Sequence, residues 1–246
     1  IAMSSSNHDK LFARPLASVK SFVFDQAVVD VFQDMVERSI PGYQTIINHT
    51  GELAHRFVQA NTNCYDLGCS LGASTLAIRE RTESRGVTIY AVDNSAAMLE
   101  KCASNLSAQT STTQTHIVNA DICDTDISNA SLVVMNFTLQ FVPLEQREAL
   151  IRKIYQGLNY GGCLVISEKL HFEPETLNGL LNELHHQFKR EQGYSDLEIS
   201  QKRDSIENVL LPETLEIHIR RLKACGFSTA SPWFQCFNFG SLIAIK

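Results

Sequence analysis

No apolar run in this chain approaches the ~20 residues that cross a bilayer, so a soluble protein without a membrane span is expected. The first residues, Ile1-Ala2-Met3-Ser4, lack a basic stretch followed by an apolar one, and no secretory leader is expected from them. No C-x-x-C pair occurs among the 7 cysteines (Cys64, Cys69, Cys102, Cys123, Cys163, Cys225 and Cys236), and their odd number argues against a disulfide framework. They read as buried thiols in a reducing cytoplasm. The 8 histidines show no metal-ligand spacing: His185 and His186 are adjacent, H-E-x-x-H is absent, and no metal is expected. Basic side chains are in the minority, 21 Lys and Arg against 27 Asp and Glu, for a net charge of −6. That argues against a broad nucleic-acid face and leaves room for a small basic pocket that takes an anionic metabolite. Internal repeats and low-complexity tracts are also missing.

What is present is an alternation. At 246 residues, with 44% hydrophobic and 20% charged side chains, the chain is long enough for one large α/β domain with an insertion, or for two small ones. From about residue 60, short apolar runs alternate with amphipathic helical patterns, which implies a largely parallel sheet. The strand runs are Cys64–Leu67, Thr88–Val92, His116–Val118, Leu132–Met135 and Cys163–Ser167. Between them, Ala73–Glu83, Ala96–Leu106 and Leu144–Leu158 read as helices, with Gly161-Gly162 ending the last. Residues 174–211 read as mainly helical. Pro212 is expected to open a helix to Ala224 that Gly226 ends, and Phe227–Cys236 and Phe237–Ile245 read as a closing pair of strands. Helical segments at Val28–Arg38 and from Tyr43 onward precede the alternation and are expected to cover a ligand crevice. The organisation expected is one structural domain: a helical cover over 1–55, the α/β unit over 56–170 and 212–246, and a helical insertion over 171–211.

The most informative stretch is Asn63-Cys-Tyr-Asp-Leu-Gly-Cys-Ser-Leu-Gly-Ala-Ser74, a strand breaking into a small-residue turn and then a helix. Such a turn lets a ligand touch the backbone, although a plain strand-to-helix loop has the same appearance. Ser70 stands where a dinucleotide site needs its middle glycine, which disfavours a pyrophosphate and tolerates a nucleoside. About twenty residues on, Asp93 ends the second strand, where a carboxylate binds ribose hydroxyls or caps the following helix. Asn94 or Ser95 is a competing cap. At the third strand end, Asp121 is placed to accept from an exocyclic amine while the Ile122 amide donates to a ring nitrogen; a solvated loop aspartate fits equally. Asn136 ends the fourth strand at the same edge.

This ordered set closely resembles the class I S-adenosylmethionine-dependent methyltransferases: Asp66-Leu-Gly-Cys-Ser70, Asp93, Asp121-Ile122, Asn136-Phe-Thr-Leu139 and Gly161-Gly162. The resemblance implies a Rossmann-like seven-stranded α/β fold with N-terminal helices and a helical insertion after strand 5. Segments outside that core carry a narrower likeness. Ser39-Ile-Pro-Gly-Tyr43, His185-His-Gln-Phe-Lys-Arg190, Gly193-Tyr-Ser195, Ser200-Gln-Lys-Arg203, Glu207-Asn208-Val209 and Trp233-Phe-Gln-Cys-Phe-Asn-Phe-Gly-Ser241 resemble the carboxy-S-adenosyl-L-methionine synthases. The likeness runs from about Leu11 to Lys246. It implies conversion of S-adenosyl-L-methionine and prephenate to carboxy-S-adenosyl-L-methionine, with phenylpyruvate and water released. The product would serve carboxymethyl transfer to the wobble uridine of transfer RNA, in 5-oxyacetyluridine biosynthesis. By the same resemblance, Tyr43, Gly68, Cys69, Ser70, Asp93, Asn94, Asp121, Ile122, Asn136 and Arg203 bind the cofactor, and Arg203 holds the new carboxylate. A cytoplasmic homodimer without stable nucleic-acid binding is the implied setting.

The residues themselves leave Arg203 open. It falls near the centre of a helical stripe formed by Ile199, Ile206 and Leu210, with Lys202 closer to an edge. A guanidinium there wants a carboxylate, or packs its stem and sends its head to water, or pairs with Glu207 one turn on. His185, His186, Lys189 and Arg190 flank a stripe of Leu177, Leu181, Leu184 and Phe188 and read as the solvated side of a packed helix. The main alternative function is methyl transfer to a small molecule or transfer RNA. A non-catalytic nucleoside-binding module and a dinucleotide oxidoreductase follow it.

Overall fold

The computed structural model describes residues 8–16, 22–206 and 209–246. Glu207 and Asn208, read above as an ion-pair partner and as part of the family likeness, lie outside the described residues. In chain order the elements are α1 (Gln26–Val29), α2 (Phe32–Ser39), α3 (Tyr43–Phe57), β1 (Asn63–Leu67), α4 (Ala73–Arg81), β2 (Thr88–Asp93), α5 (Ala96–Ser107) and β3 (Gln114–Asn119). There follow β4 (Ala130–Asn136), a 3₁₀ turn (Leu139–Phe141), α6 (Leu144–Gly157), β5 (Leu158–Lys169), α7 (Glu175–Glu191), α8 (Asp196–Ile206), α9 (Leu215–Ala224), β6 (Thr229–Cys236) and β7 (Phe239–Ile245).

The strands form one seven-stranded sheet in the order β3-β2-β1-β4-β5-β7-β6. The first five run parallel, and β7 lies antiparallel to both β5 and β6. Central strands covered on both faces are mainly apolar, and the run Ala130–Met135 is wholly buried. Side chains alternate between the two layers. Tyr65, Leu67, Val133 and Met135 join one core cluster, while Cys64, Leu132, Val134, Cys163 and Val165 join the other. Strand order reverses between β1 and β4, and the crevice at such a switch point, beyond the strands' C-terminal ends, is where open α/β sheets bind ligands.

Several sequence expectations are corrected by the packing. The segment Val28–Arg38 spans two helices, with the break at Val31 (φ −122°, ψ 1°). Gly161-Gly162 does not end α6, which stops at Gly157. The pair sits inside β5, where Leu158 pairs with Ala130 before the register slips and resumes at Leu132 with Cys163. Gly161 (φ +78°) makes that bulge and donates to Lys246 O. Pro212 does not open α9. The chain is still extended at Glu213, which bridges to Leu170, and Thr214 caps the helix by accepting from Ile217 N.

α7 is rotated relative to the face expected from its leucines, with Leu181 and Phe188 of the expected stripe half-buried and Arg190 exposed as expected. His185 and Lys189 are buried, whereas Leu177, Leu180 and Leu184 are exposed, Leu180 by 51%. The polar side is held in by specific partners: His185 Nε2 lies 2.8 Å from Ser39 O, and Asn182 Oδ1 accepts from Asn238 Nδ2 at 2.9 Å. A second unforeseen anchor is Arg147 of α6, fully buried, donating to Val142 O, Gln140 O, Leu211 O and Glu213 Oε2. Arg221 takes the other oxygen of Glu213. This pair ties the loop after β4 to the entry of α9.

Candidate functional site

The turn after β1 is built to be closed from behind. Gly68, Ser70 and Gly72 all have positive φ (81°, 48° and 86°). A Cβ on Gly68 would lie 2.3 Å from Thr138 Oγ1, so the close approach of the β1 and β4 loops requires glycine there. The amides of Gly68 and Cys69 donate to Val92 O at 2.8 and 2.9 Å, and Ser70 N donates to Asp93 Oδ2 at 2.9 Å. Three consecutive N–H groups that would cradle a pyrophosphate in a dinucleotide site are thus spent on β2.

Asp93 ends β2, half-buried. Its Oδ1 accepts from Ser95 N and its Oδ2 from Ser70 N, both at 2.9 Å. Burial raises its pKa against the opposing pull of those N–H bonds. A carboxylate offers about four acceptor positions, so Asp93 still has capacity to accept from a ribose hydroxyl. The helix cap is supplied by Ser95, whose Oγ accepts from Met98 N. Asn94 beside it is exposed. One layer deeper, Asp66 accepts from Thr75 Oγ1 at 2.6 Å, tying the end of β1 to the first turn of α4. Burial pushes the Asp66 carboxyl up to about 6, with Thr75 opposing and Asp93 adding to the shift.

At the end of β3, Asp121 is exposed and accepts from Cys123 N at 2.8 Å, while Ile122 is buried. Asn136, ending β4, is the centre of a polar chain. Its amide donates to Ser74 Oγ (2.9 Å) and Thr50 Oγ1 (3.3 Å), and its Oδ1 accepts from Ser167 Oγ at 2.7 Å. Its side chain therefore couples α3, α4 and β5 at the crevice. Tyr43 starts α3 and faces Phe137, with ring centroids 6.2 Å apart. Burial, reinforced by Asp66 and Glu37, holds its hydroxyl well above the usual tyrosine range.

Phe137 itself escaped the sequence reading. It has φ +61°, an uncommon conformation for an aromatic residue, and its ring spans Tyr43 and Phe239. Glu168 of β5 holds that loop: its two oxygens accept from Leu139 N and Gln140 N at 3.0 and 2.9 Å. Burial pushes its carboxyl up to about 8, against the N–H bonds and Arg147. Nothing in the local pattern around Glu168 signals this role; only the parallel pairing of Asn136 with Ser167 brings it beneath the turn.

The structure thus brings together Tyr43, Gly68, Cys69, Ser70, Asp93 and Asn136, with Asp121 and Ile122 at the neighbouring strand end. Arg203 is placed differently. α8 buries Glu198, Ile199, Gln201, Lys202 and Ser205, so Lys202 lies inside and the Arg203 side chain is 52% exposed. The stripe expected around Arg203 is rotated because polar anchors set the buried face. Gln201 bonds Phe12 O, Arg14 O and Leu16 N, and Lys202 donates to Ser39 Oγ. Arg203 pairs with Asp204 at 3.3 Å, and its charge reaches His186 of α7. Among the described residues, no cluster of His, Cys, Asp and Glu could hold a metal ion, and no helix is long and apolar enough to cross a membrane.

A family profile described as a methyltransferase domain matches residues 65–162. Among solved structures, an O-methyltransferase family protein from Burkholderia thailandensis superposes with a TM-score of 0.66 at 13% identity, covering 91% of this chain and 60% of that one. Magnesium protoporphyrin IX methyltransferase from Synechocystis gives a TM-score of 0.60 at 14% identity, covering 86% of this chain and 87% of that one. Sheet order, glycine turn and strand-end acids together define a class I methyltransferase fold. Carboxy-S-adenosyl-L-methionine synthase of Shewanella putrefaciens is 55% identical over 242 residues, 98% of this chain and 100% of that protein. The synthase of Shewanella piezotolerans is 54% identical over 241 residues, 98% and 99%. The chain belongs to the carboxy-S-adenosyl-L-methionine synthase family.

Proposed function

We propose that this protein converts S-adenosyl-L-methionine and prephenate to carboxy-S-adenosyl-L-methionine, phenylpyruvate and water, supplying carboxymethyl groups for the transfer RNA wobble uridine. The observation that carries the proposal is 55% identity to a synthase along 98% of the chain. The strand-end crevice suits it. Asp93 keeps acceptor capacity for the ribose; Asp121 and the Ile122 amide sit at the next strand end for adenine. The turn from Gly68 to Ser70, with Cys69, and the polar chain of Asn136 flank the place for the methionine part. Tyr43 and the exposed Asn94 complete the rim.

The chemistry needs little from a protein base. As prephenate becomes aromatic it loses carbon dioxide and hydroxide, the hydroxide takes a proton from the sulfonium methyl to form water, and the ylide captures the carbon dioxide. The protein's task is to position, exclude water and stabilise charge. Arg203 is assigned to the new carboxylate, because a planar guanidinium binds it by two parallel hydrogen bonds that an ammonium cannot copy. Its exposure, beside the bare leucines of α7, fits a homodimer in which α7 and α8 lie at the subunit boundary. Leu180→Glu should then lower the mass seen by light scattering. A cytoplasmic location is part of the same reading.

One assay tests the reaction. The protein is incubated with S-adenosyl-L-methionine, with and without prephenate, and the nucleoside is weighed by mass spectrometry. A prephenate-dependent gain of one carbon dioxide is expected. S-adenosylhomocysteine with a methylated acceptor would replace the proposal with methyl transfer.

A further inference from the structure

Beside the crevice lies a buried basic group that the cofactor roles leave unused. Lys189 of α7 and Lys202 of α8 are both buried, with their Nζ atoms 5.4 and 5.6 Å from the ring centroid of Tyr194. Arg38 of α2 stacks on the same ring at 4.0 Å. The nearby acids are already engaged. Asp34 pairs with Arg38 at 3.0 Å, Asp9 accepts the Tyr194 hydroxyl at 2.6 Å, and Glu198 accepts the amide and hydroxyl of Ser195. Among the described residues, neither Lys189 nor Lys202 forms a carboxylate ion pair; Lys202 donates to Ser39 Oγ at 2.9 Å. Buried cations without anionic partners are costly, and an incoming anion would relieve that cost.

A second observation points the same way. His185, one helical turn before Lys189, is 7% exposed, and its Nδ1 has no hydrogen-bond partner. Its Nε2 faces the carbonyl of Ser39, which can only accept, so Nε2 carries the proton and Nδ1 is a bare lone pair. The His185 ring meets Phe239 edge-on at 4.9 Å, and Phe239 meets Phe137 at 6.2 Å. An aromatic row thus leads from the cofactor's Tyr43 side to the basic group, and Ser39 adjoins both through the segment Ser39–Tyr43.

Resting on the reaction proposed above, we infer that Lys189, Lys202 and His185 Nδ1 form the subsite for the cyclic hydroxy-dicarboxylate co-substrate. The two ammonium groups take its carboxylates, Nδ1 accepts its hydroxyl hydrogen, and the packed pair of Phe137 and Phe239 forms one apolar wall for the ring that becomes aromatic. Burial and the charges of Lys202 and Lys169 push Lys189 down to about 7, and burial with Arg38 pushes Lys202 down to about 8, against Asp9, Asp34 and Glu198. A dianion stabilises the charged forms, so its binding draws protons onto these amines. His185 stays neutral throughout, pushed down to about 3 by burial and by Lys169, Lys189 and His186.

The test separates the co-substrate from the cofactor. In Lys189→Gln the KM for prephenate should rise roughly tenfold or more, the loss expected for a charge-assisted bond, while the KM for S-adenosyl-L-methionine stays within about twofold. Lys189→Arg should recover part of the loss. On the unaltered protein, titration with prephenate near pH 8 in two buffers of different ionisation enthalpy should show proton uptake. An unchanged prephenate KM in Lys189→Gln, or binding without proton uptake, overturns the subsite. Failure of the unaltered protein to make any carboxy product overturns the reaction instead, and the titration still decides the subsite.

Discussion

Replacing Gly68 by alanine attacks the turn at its tightest point. The new Cβ would sit 2.3 Å from Thr138 Oγ1 and 2.4 Å from Thr138 Cγ2, in a backbone with φ +81°. A left-handed conformation costs a side-chain-bearing residue about 1–2 kcal/mol. Overpacking adds about 1–3 kcal/mol, because Thr138 belongs to the loop that Glu168 holds and yields little. The sum, roughly 2–5 kcal/mol, corresponds to a fall in Tm of about 5–15 °C for a chain of this size. Relief by moving the turn would break the Gly68 and Cys69 bonds to Val92 O, so affinity for S-adenosyl-L-methionine should fall roughly tenfold or more. Differential scanning calorimetry and calorimetric titration read the two effects. Gly179→Ala is the control: that glycine lies in α7 with nothing within 4 Å of an added Cβ, and alanine there should stabilise by about 0.5–1 kcal/mol. If Gly68→Ala melts and binds like the unaltered protein, the account of the turn is wrong.

Three other perturbations probe separate parts of the account. Arg203→Lys should retain S-adenosyl-L-methionine binding and lose most carboxy product by mass spectrometry; full activity would remove Arg203 from the reaction. Arg147→Met strands Glu213 with Arg221 alone and frees three carbonyls, so guanidinium unfolding should report a loss of about 3–5 kcal/mol, and a loss below about 1 would contradict its anchoring role. His218, buried with both nitrogens unpartnered, is pushed down to about 4 by burial. A folded-state value below 6.5 means its contribution is intact above pH 6.5 and lost as pH falls towards 4, about 2 kcal/mol at pH 5. His218→Phe should therefore narrow the stability gap between pH 8 and pH 5 by that amount, and an unchanged gap would count against a neutral buried imidazole.

The sheet and the crevice at its strand ends were legible in the sequence because their signals are local. Near-continuous apolar runs mark β1, β2 and β4, and Gly68, Asp93 and Asn136 each end a run. The insertion was not legible in the same way. Leucine spacing in α7 placed Leu177 and Leu184 inward, yet the buried side is the one whose His185 and Asn182 find partners on Ser39 and Asn238, residues far away in the chain. α8 misled for the same reason: Gln201 and Lys202 are drawn inward by the N-terminal segment and Ser39, which turns Arg203 outward. Glu168 and Arg147 needed the sheet register before their roles emerged. Periodicity reports apolar burial, and polar burial is decided by partners that only tertiary structure brings near.

The central claim is that the crevice carboxylates the sulfonium methyl with carbon dioxide that never leaves it. Prephenate carrying ¹³C in its ring carboxylate, incubated with the protein, S-adenosyl-L-methionine and excess unlabelled bicarbonate, tests this directly. The account predicts carboxy-S-adenosyl-L-methionine that retains the full label. Product diluted to the bicarbonate's isotope content, or S-adenosylhomocysteine in its place, would contradict it.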